Sequence, residues 1–334
     1  MSFFAILFAL LIEQVRPLAR ANPIHSGLRN GARWVAGDFD AGKPHHGWIA
    51  WSLAVVGPSV AALAIHVLLV LYVGWVFAML WSVAVLYITL GFRQFSHHFT
   101  NIRDALDAGD EGLARELLAQ WQQVDASELP RSEIVRHVIE YSVLAAHRHV
   151  FGVLGWFSVL AAFGFGPAGA VLYRMSEFAN RHWNHVDRIS DHPSSPALLS
   201  VASRCWSFID WLPARITALG FAVVGSFEEA IDCWRNYAQR FPNDNDGVIL
   251  AATSGAVNVR LGGEALKTAV YAPGQTGGFN ASGLQPDATL DSSVSTPGRE
   301  AEVGHLRSVV GLVWRSVVLW MVLLALLTLA RLLG

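Results

Sequence analysis

One apolar stretch of the sequence carries two charged side chains that could belong to a site. Asp210 and Arg215 lie there, and an ionisable side chain inside a membrane segment is costly unless it is paired or functional. Pro213 lies between them, so helical geometry does not by itself bring the two charges together. Two interpretations remain open. Either they form a buried pair, or Asp210 lies at the membrane interface and the Arg215 guanidinium reaches the headgroups.

A second polar stretch runs from Pro242 to Gly247 and contains two Asn and two Asp residues. Such side chains cap the start of a helix, and they could also hold a phosphate or a metal ion. Small residues follow from Ala251 to Gly263 and allow other backbone to approach closely. The pattern favours a capped turn over a ligand site.

The histidines are the third group that could do chemistry. His182 and His185 have the spacing of two metal ligands on one helical face, with Asp187 and Asp191 nearby. No H-E-x-x-H pattern completes them, so we favour a polar loop at the membrane interface and predict no metal site. The sequence also lacks G-x-x-x-x-G-K-[ST], G-x-S-x-G and C-x-x-C. The residue patterns alone assign no reaction.

The elements that must position these residues are membrane helices. No Asp, Glu, Lys or Arg occurs from Trp48 to Phe92, which is enough for two crossings of about 20 residues with a turn near Gly74. Charged residues make up 15% of the chain, and its net charge of -2 gives no basic excess toward nucleic acid. The sequence predicts an all-α, polytopic integral membrane protein with broken helices and polar helical loops.

The chain divides by composition into five parts. They are an N-terminal apolar segment with a basic loop at 1–47, a membrane helical hairpin at 48–92, a helical core at 93–263, a flexible Gly-, Ser- and Thr-rich loop at 264–307, and a C-terminal membrane helix at 308–334. The core contains cytoplasmic helices and membrane segments at 150–173 and 208–224. A Gly-Pro break at Gly166 and Pro167 interrupts the first, which is tolerated only where protein or a water-filled cavity surrounds it.

Several motifs occur in an order that resembles the CobD/CbiB family of cobalamin biosynthesis. Pro213-Ala214-Arg215 follows Trp211, and Asn245-x-Gly247 leads to a segment that ends in Arg260-Leu261-Gly262-Gly263. Gly166-Pro167-Ala168-Gly169-Ala170 with Tyr173-Arg174 resembles the family's P-G-A-x-x-Y-K segment, and Ile139-Glu140 resembles the I-E of its signature helix. The resemblance runs from about Leu106 to Gly263 and covers the core.

Members of that family are inner-membrane adenosylcobinamide-phosphate synthases, which join aminopropanol or its phosphate to adenosylcobyric acid at the expense of ATP. The resemblance therefore implies a multi-pass protein of the bacterial inner membrane and, if it is active, an amide ligase that uses ATP and Mg²⁺. The implied partners are the lipid bilayer, a corrinoid intermediate and a second copy of the chain. The resemblance implies eight ligand-binding candidates: Glu140, His147, Arg148, Glu177, Asp210, Arg215, Asn245 and Arg260.

The sequence departs from the family pattern at acidic positions. Leu144 and Ala145 stand where Glu and Asn are expected, and Arg148 replaces an Asp. The other replacements are Asn180, Trp206 and Ser207, each at an Asp position. Because Mg²⁺ and ATP need hard oxygen ligands, we expect divergent catalysis and leave enzyme activity open. The pattern is similar to the AmpE-like branch of the superfamily, so an inner-membrane regulator or sensor without enzyme activity is the alternative function.

Overall fold

A computed structural model describes residues 2–15, 23–40, 42–122, 124–186, 194–263 and 295–333. The described residues are mostly helical, which confirms the predicted all-α class. The helices are α1 (Ser2–Val15), α2 (Pro23–Phe39), α3 (Pro44–Val73), α4 (Trp75–Thr89), α5 (Phe92–Asp107), α6 (Glu111–Gln122), α7 (Arg131–Ala162), α8 (Ala168–Arg181), α9 (Pro196–Val224), α10 (Phe227–Tyr237), α11 (Asp244–Val257) and α12 (Val303–Leu333).

Four described helices, α3, α7, α9 and α12, are long and apolar enough to cross a membrane. The apolar windows of α3 and α12 have mean hydropathies of 2.3 and 2.2, and only 22% and 28% of their residues are buried inside the protein. Large apolar side chains such as Leu53, Val60 and Leu326 therefore face outward, as they do against acyl chains. Length, composition and outward apolar faces together identify a membrane protein.

The apolar stretch 48–92 forms two helices joined near the expected turn. α3 ends at Val73 and α4 begins at Trp75. Gly74 between them has a φ of 116°, a conformation that a residue without a Cβ adopts readily. The indole Nε1 of Trp81 donates to the carbonyl oxygen of Ala62 at 3.2 Å and ties the two helices together. α4 has 15 residues, about 22 Å of helix, which is shorter than the hydrocarbon core.

The Gly-Pro break separates two helices instead of interrupting one. α7 ends at Ala162, Gly164 and Gly166 have φ values of 84° and 54°, and α8 begins at Ala168. The candidate span in this region is therefore Arg131–Ala162, not the segment 150–173, because the helix begins far upstream and ends before the glycines. The span expected at 208–224 also begins earlier, since α9 starts at Pro196.

The chain folds into two compact units. The first comprises Met1–Arg93, Arg148–Pro213 and Leu324–Gly334, and the second comprises Gln94–His147 and Ala214–Leu323. Four of the described helices, α5, α7, α9 and α12, contribute residues to both units. A candidate site residue on one of these divided helices therefore belongs to the unit that contains that part of the helix.

Two glycines allow helices α7 and α8 of the first unit to pack closely together. A Cβ placed on Gly152 of α7 would lie 2.0 Å from the Cζ of Tyr173, and one on Gly169 of α8 would lie 2.1 Å from the carbonyl oxygen of Trp156. Tyr173 and Phe157 are consequently almost fully buried between these helices. The helices α7 and α8 can approach this closely because neither glycine has a side chain.

The second unit contains a comparable close contact between α10 and α11, where a Cβ on Gly255 would lie 2.2 Å from the Glu229 carbonyl oxygen. After α11 the backbone pairs with the segment that precedes α12. Thr296 N–H donates to the Leu261 carbonyl at 2.8 Å, and Arg260 N–H donates to the Arg299 carbonyl at 2.8 Å. These bonds hold the two ends of the intervening chain together.

The C-terminal part of the predicted flexible loop at 264–307 is paired with other backbone or helical. Residues 264–294 lie outside the described residues, whereas 295–301 pair with the chain after α11 and α12 already begins at Val303. The Glu302 N–H donates to the Nδ1 of His305 at 3.0 Å near this start. The small and polar residues here carry no apolar period, so the sequence did not reveal the earlier helix start.

Replacing Gly152 by alanine tests the contact between α7 and α8. We expect Gly152→Ala to lower the free energy of unfolding by about 1–3 kcal/mol or more, because the new methyl group overlaps the Tyr173 ring. Denaturant unfolding of the purified protein in detergent measures the change. Gly57→Ala is the matched control, since no atom lies within 4 Å of its added Cβ. Equal stability of the two variants would contradict the close packing.

Candidate functional site

A cluster of acidic and basic side chains lies in the first unit. Glu177 of α8 is 4% exposed, and its Oε2 accepts a hydrogen bond from Nη1 of Arg174 at 2.9 Å. Nε of Arg181 lies 3.3 Å from the other carboxylate oxygen. The three residues occupy successive turns of one helix, so helical spacing alone aligns them. Together with Tyr173 and Asp210 we call them the first-unit cluster.

The charge of Glu177 follows from these neighbours. Burial disfavours the ionised carboxylate, but the guanidinium groups of Arg181 and Arg174 outweigh burial and hold the pKa of Glu177 below its usual value. Arg148, which is 8% exposed, acts in the same direction. Glu177 is therefore a carboxylate at neutral pH whose negative charge is compensated by arginines of the same unit.

Asp210 of α9 is 1% exposed, and its Oδ1 accepts a hydrogen bond from the Tyr173 hydroxyl at 2.8 Å. The Tyr173 ring is held in place by Gly152 on one side and by Trp206, whose ring centroid lies 5.3 Å away. Arg215, the residue that the sequence suggested as a partner for Asp210, donates from Nη1 to the Oδ1 of Asn245 at 3.0 Å. The sequence therefore named both charged residues but neither of these partners.

The backbone beside Asp210 is shaped by a proline. Pro213 has no N–H, so it cannot bond the carbonyl oxygen of Ile209 one turn earlier in α9. The Nε1 of Trp156 on α7 donates to that oxygen at 2.8 Å. A neighbouring helix thus satisfies a carbonyl that would otherwise lack a partner in a membrane segment. Sequence reasoning missed this role of Trp156.

Glu140 belongs to a separate polar cluster in the second unit. Its Oε1 accepts from Nη1 of Arg136 at 3.0 Å and from the backbone N–H of Gly262 at 2.7 Å, and the residue is 3% exposed. Nη2 of Arg136 also lies 2.9 Å from Nε2 of His137. Because a guanidinium only donates, that ring nitrogen accepts, which places the His137 proton on Nδ1. Nδ1 lies 3.4 Å from Oε2 of Glu140.

The remaining candidates in the second unit have different surroundings. His147 is fully buried, and its Nδ1 lies 2.9 Å from the Thr217 hydroxyl. Asn245 is buried at the start of α11, and its partner Arg215 is half-buried. Arg260 is exposed, although its backbone pairs with Arg299. The candidates of this unit therefore range from fully buried polar groups to an outward-facing guanidinium.

The polar stretch before α11 is a capped turn, as favoured from the sequence. The Asn243 side-chain oxygen accepts from the Asn245 N–H at 3.3 Å, and its amide donates to Oδ2 of Asp246 at 3.1 Å. For the histidine pair, the His182 ring stacks on Phe178 with centroids 5.4 Å apart, while Asp187 and Asp191 lie outside the described residues. Across the described ranges, no three His, Cys, Asp or Glu side chains are grouped to hold a metal ion.

Three of the positions that depart from the family pattern are packed inside the protein. Leu144 and Ala145 are 1% and 5% exposed inside the second unit, and Trp206 packs on Tyr173 in the first. None of these side chains has an oxygen that could bind a cation, and the acids Glu140, Glu177 and Asp210 already accept bonds from protein groups. Leu144, Ala145 and Trp206 therefore offer no ligand for the Mg²⁺ that the resemblance implies.

A double-mutant cycle tests the bond between Trp156 and α9. Trp156→Phe should lower the free energy of unfolding by about 1–3 kcal/mol, because the Ile209 carbonyl loses its donor in a buried place. In a Pro213→Ala background the restored N–H can bond that oxygen, so the same change should have a smaller effect. Unfolding in detergent measures all four proteins. Equal losses in the two backgrounds would exclude this role for the indole.

Glu140→Gln tests the polar cluster of the second unit. We expect a loss of about 1–3 kcal/mol in stability, because the buried Arg136 guanidinium loses one of its two carboxylate partners and keeps only Glu133. The exposed Glu128 provides the control, since Glu128→Gln makes the same chemical change and should alter stability little. If both variants unfold together with the unmodified protein, the ion pair contributes nothing.

The chain is similar in sequence to a protein family and to several named proteins. The chain matches the family described as CobD/Cbib protein over residues 5–288. A protein named Cobalamin biosynthesis protein CobD from Chromobacterium violaceum is 34% identical over 183 residues, so this match spans about half the length of each protein, 55% in both cases. One of the same name from Stutzerimonas stutzeri is 27% identical over 329 residues, 96% of each chain.

A third relative with that name, from Leptospira interrogans, is 29% identical over 203 residues, or 59% of this chain and 61% of its own. No solved structure matches. The family match covers most of the sequence, including α7 to α11 and both polar clusters. The chain belongs to the CobD/Cbib protein family.

Proposed function

We propose that this chain is a bacterial inner-membrane protein of cobalamin metabolism that binds a corrinoid intermediate but lacks the ATP-dependent amide-forming step of the synthases. Family membership and the name of its relatives, Cobalamin biosynthesis protein CobD, support the cobalamin assignment. We infer the lack of this reaction from the hydrogen bonds that three acidic side chains accept. Glu140, Glu177 and Asp210 each accept a hydrogen bond from another protein group.

Phosphoryl chemistry with ATP needs a divalent cation between oxygen ligands that are available to it. At Leu144, Ala145 and Trp206 the chain offers buried carbon in place of oxygen. The guanidinium groups next to Glu140 and Glu177 already bring positive charge to these carboxylates, and that charge repels a metal cation. These replacements support a protein that retains the fold of the family without its metal-dependent chemistry.

Arginines suit the binding role better than the catalytic one. A guanidinium binds phosphate and carboxylate groups through two parallel N–H donors and stays charged at every physiological pH. Arg148 in the first unit, which stands where the family pattern has an Asp, is the candidate of this kind. We propose that Arg148 binds an anionic group of the corrinoid intermediate. The lipid bilayer and a second copy of the chain are the further proposed partners.

The alternative is an AmpE-like inner-membrane regulator or sensor without enzyme activity. The same replacements favour it, since a regulator needs no cation ligands at the positions of Leu144, Ala145 and Trp206. Deletion of the gene separates the two functions. Loss of growth that depends on conversion of cobinamide to cobalamin supports the first, and altered β-lactam induction with normal growth supports the second.

Biochemical assay of the purified protein tests the proposal. With adenosylcobyric acid, aminopropanol phosphate, ATP and Mg²⁺ we expect no turnover above background, but we expect binding of adenosylcobyric acid detected by its visible absorption after gel filtration. Arg148→Gln should weaken that binding, whereas Arg235→Gln on the exposed face of α10 should not. Turnover near 1 s⁻¹, about the low end for ordinary enzymes, would restore the synthase function. Absence of binding would reject the cobalamin role.

A further inference from the structure

One histidine lies within the uncharged stretch of the chain. His66 is the one histidine from Trp48 to Phe92, where Asp, Glu, Lys and Arg are also absent. It belongs to α3, where the neighbouring side chains Ile65 and Val67 are 40% and 41% exposed, as they are next to acyl chains. A histidine inside a membrane helix is rare and almost always faces the interior or a cavity with a functional role. The surroundings of His66 in the first unit therefore indicate what it does.

His66 lines a cavity of about 190 Å³ in the first unit. The cavity lies between α1, α3, α4, α7 and the turn after α7, close to the points where α3 and α7 end. Its walls are mostly apolar and include Trp75 and Met79 of α4 with Phe157 and Ala161 of α7. A cavity of about 150 Å³ with apolar walls holds one benzene ring. The cavity beside His66 therefore has room for a single six-membered ring with one small substituent.

The imidazole of His66 has hydrogen-bonding capacity left. The half-buried ring forms a hydrogen bond with the backbone of Ala78, while its Nδ1 has no hydrogen-bond partner among the described residues. Gly166 packs against the ring, since a Cβ on this glycine would lie 2.4 Å from the Cγ of His66. A polar group in an apolar wall is stabilised by a partner, and a bound molecule can supply one here.

We propose that this cavity binds a small uncharged aromatic alcohol of the size of phenol, with its ring against Trp75 and Phe157 and its hydroxyl group bonded to His66. The apolar walls disfavour a charged ligand, because a charge that leaves water without a partner is strongly destabilised. A hydroxyl group both donates and accepts, so it satisfies a ring nitrogen in either tautomer of the imidazole. None of the residues that line the cavity belongs to the first-unit cluster, so this site goes beyond the proposed corrinoid binding.

Equilibrium dialysis of radiolabelled phenol against the full-length chain in lipid nanodiscs tests this site. Empty nanodiscs give the background that is due to partition into lipid, and above it we expect one saturable phenol site per chain. Toluene has nearly the same size as phenol but no hydroxyl group. In His66→Phe we therefore expect the affinity for phenol to fall about tenfold, the effect of one lost hydrogen bond, while the affinity for toluene is retained.

A pair of variants on α7 locates the bound molecule. Ala161→Phe places a ring inside the cavity and should abolish the binding of phenol and toluene, whereas Ala162→Phe, the same change at the next and exposed residue, should preserve both. The absence of a saturable phenol site in the unmodified chain overturns the proposal. Binding that survives in Ala161→Phe, or that is lost in Ala162→Phe, overturns it as well. Equal losses for phenol and toluene in His66→Phe exclude the hydrogen bond to the imidazole and with it the proposed ligand class.

Discussion

Every backbone N–H and C=O group in the hydrocarbon core of a membrane must find a partner within the protein, because neither lipid nor water supplies one there. Pro213 interrupts this pairing in α9 and leaves the Ile209 carbonyl without its usual donor. The Trp156 indole restores the bond from α7. Asp210, adjacent to Ile209, is thereby placed on a stretch of helix whose position depends on a neighbouring helix.

The same requirement determines how the helices end. α3 and α4 meet at Gly74, and α7 and α8 meet through Gly164 and Gly166, where positive φ values turn the chain within a few residues. Short turns leave few backbone groups unpaired. Close packing at Gly152 and Gly169 then brings α8 against α7, which carries Tyr173 and Glu177 into the interior of the first unit.

Buried charges need compensation as much as backbone groups do. In this chain the compensation comes from nearby protein groups: Arg174 and Arg181 for Glu177, and Arg136 with the Gly262 N–H for Glu140. Leu144 and Trp206 are buried apolar side chains, which fill space within the two units and need no polar partner of this kind.

Local patterns in the sequence determined the helical class, the turn at Gly74, the capped turn at Asn243 and the family. Each depends on residues that are close in the chain, where helical spacing and the conformational freedom of glycine act directly. Apolar length alone could not place the ends of α7 or α12, because polar first turns hide the start of a membrane helix. The partners of the charged residues were decided only by tertiary structure. Tyr173 reaches Asp210, Arg215 reaches Asn245 and Gly262 reaches Glu140 across long stretches of sequence. Such pairs depend on how helices pack, which no local pattern specifies.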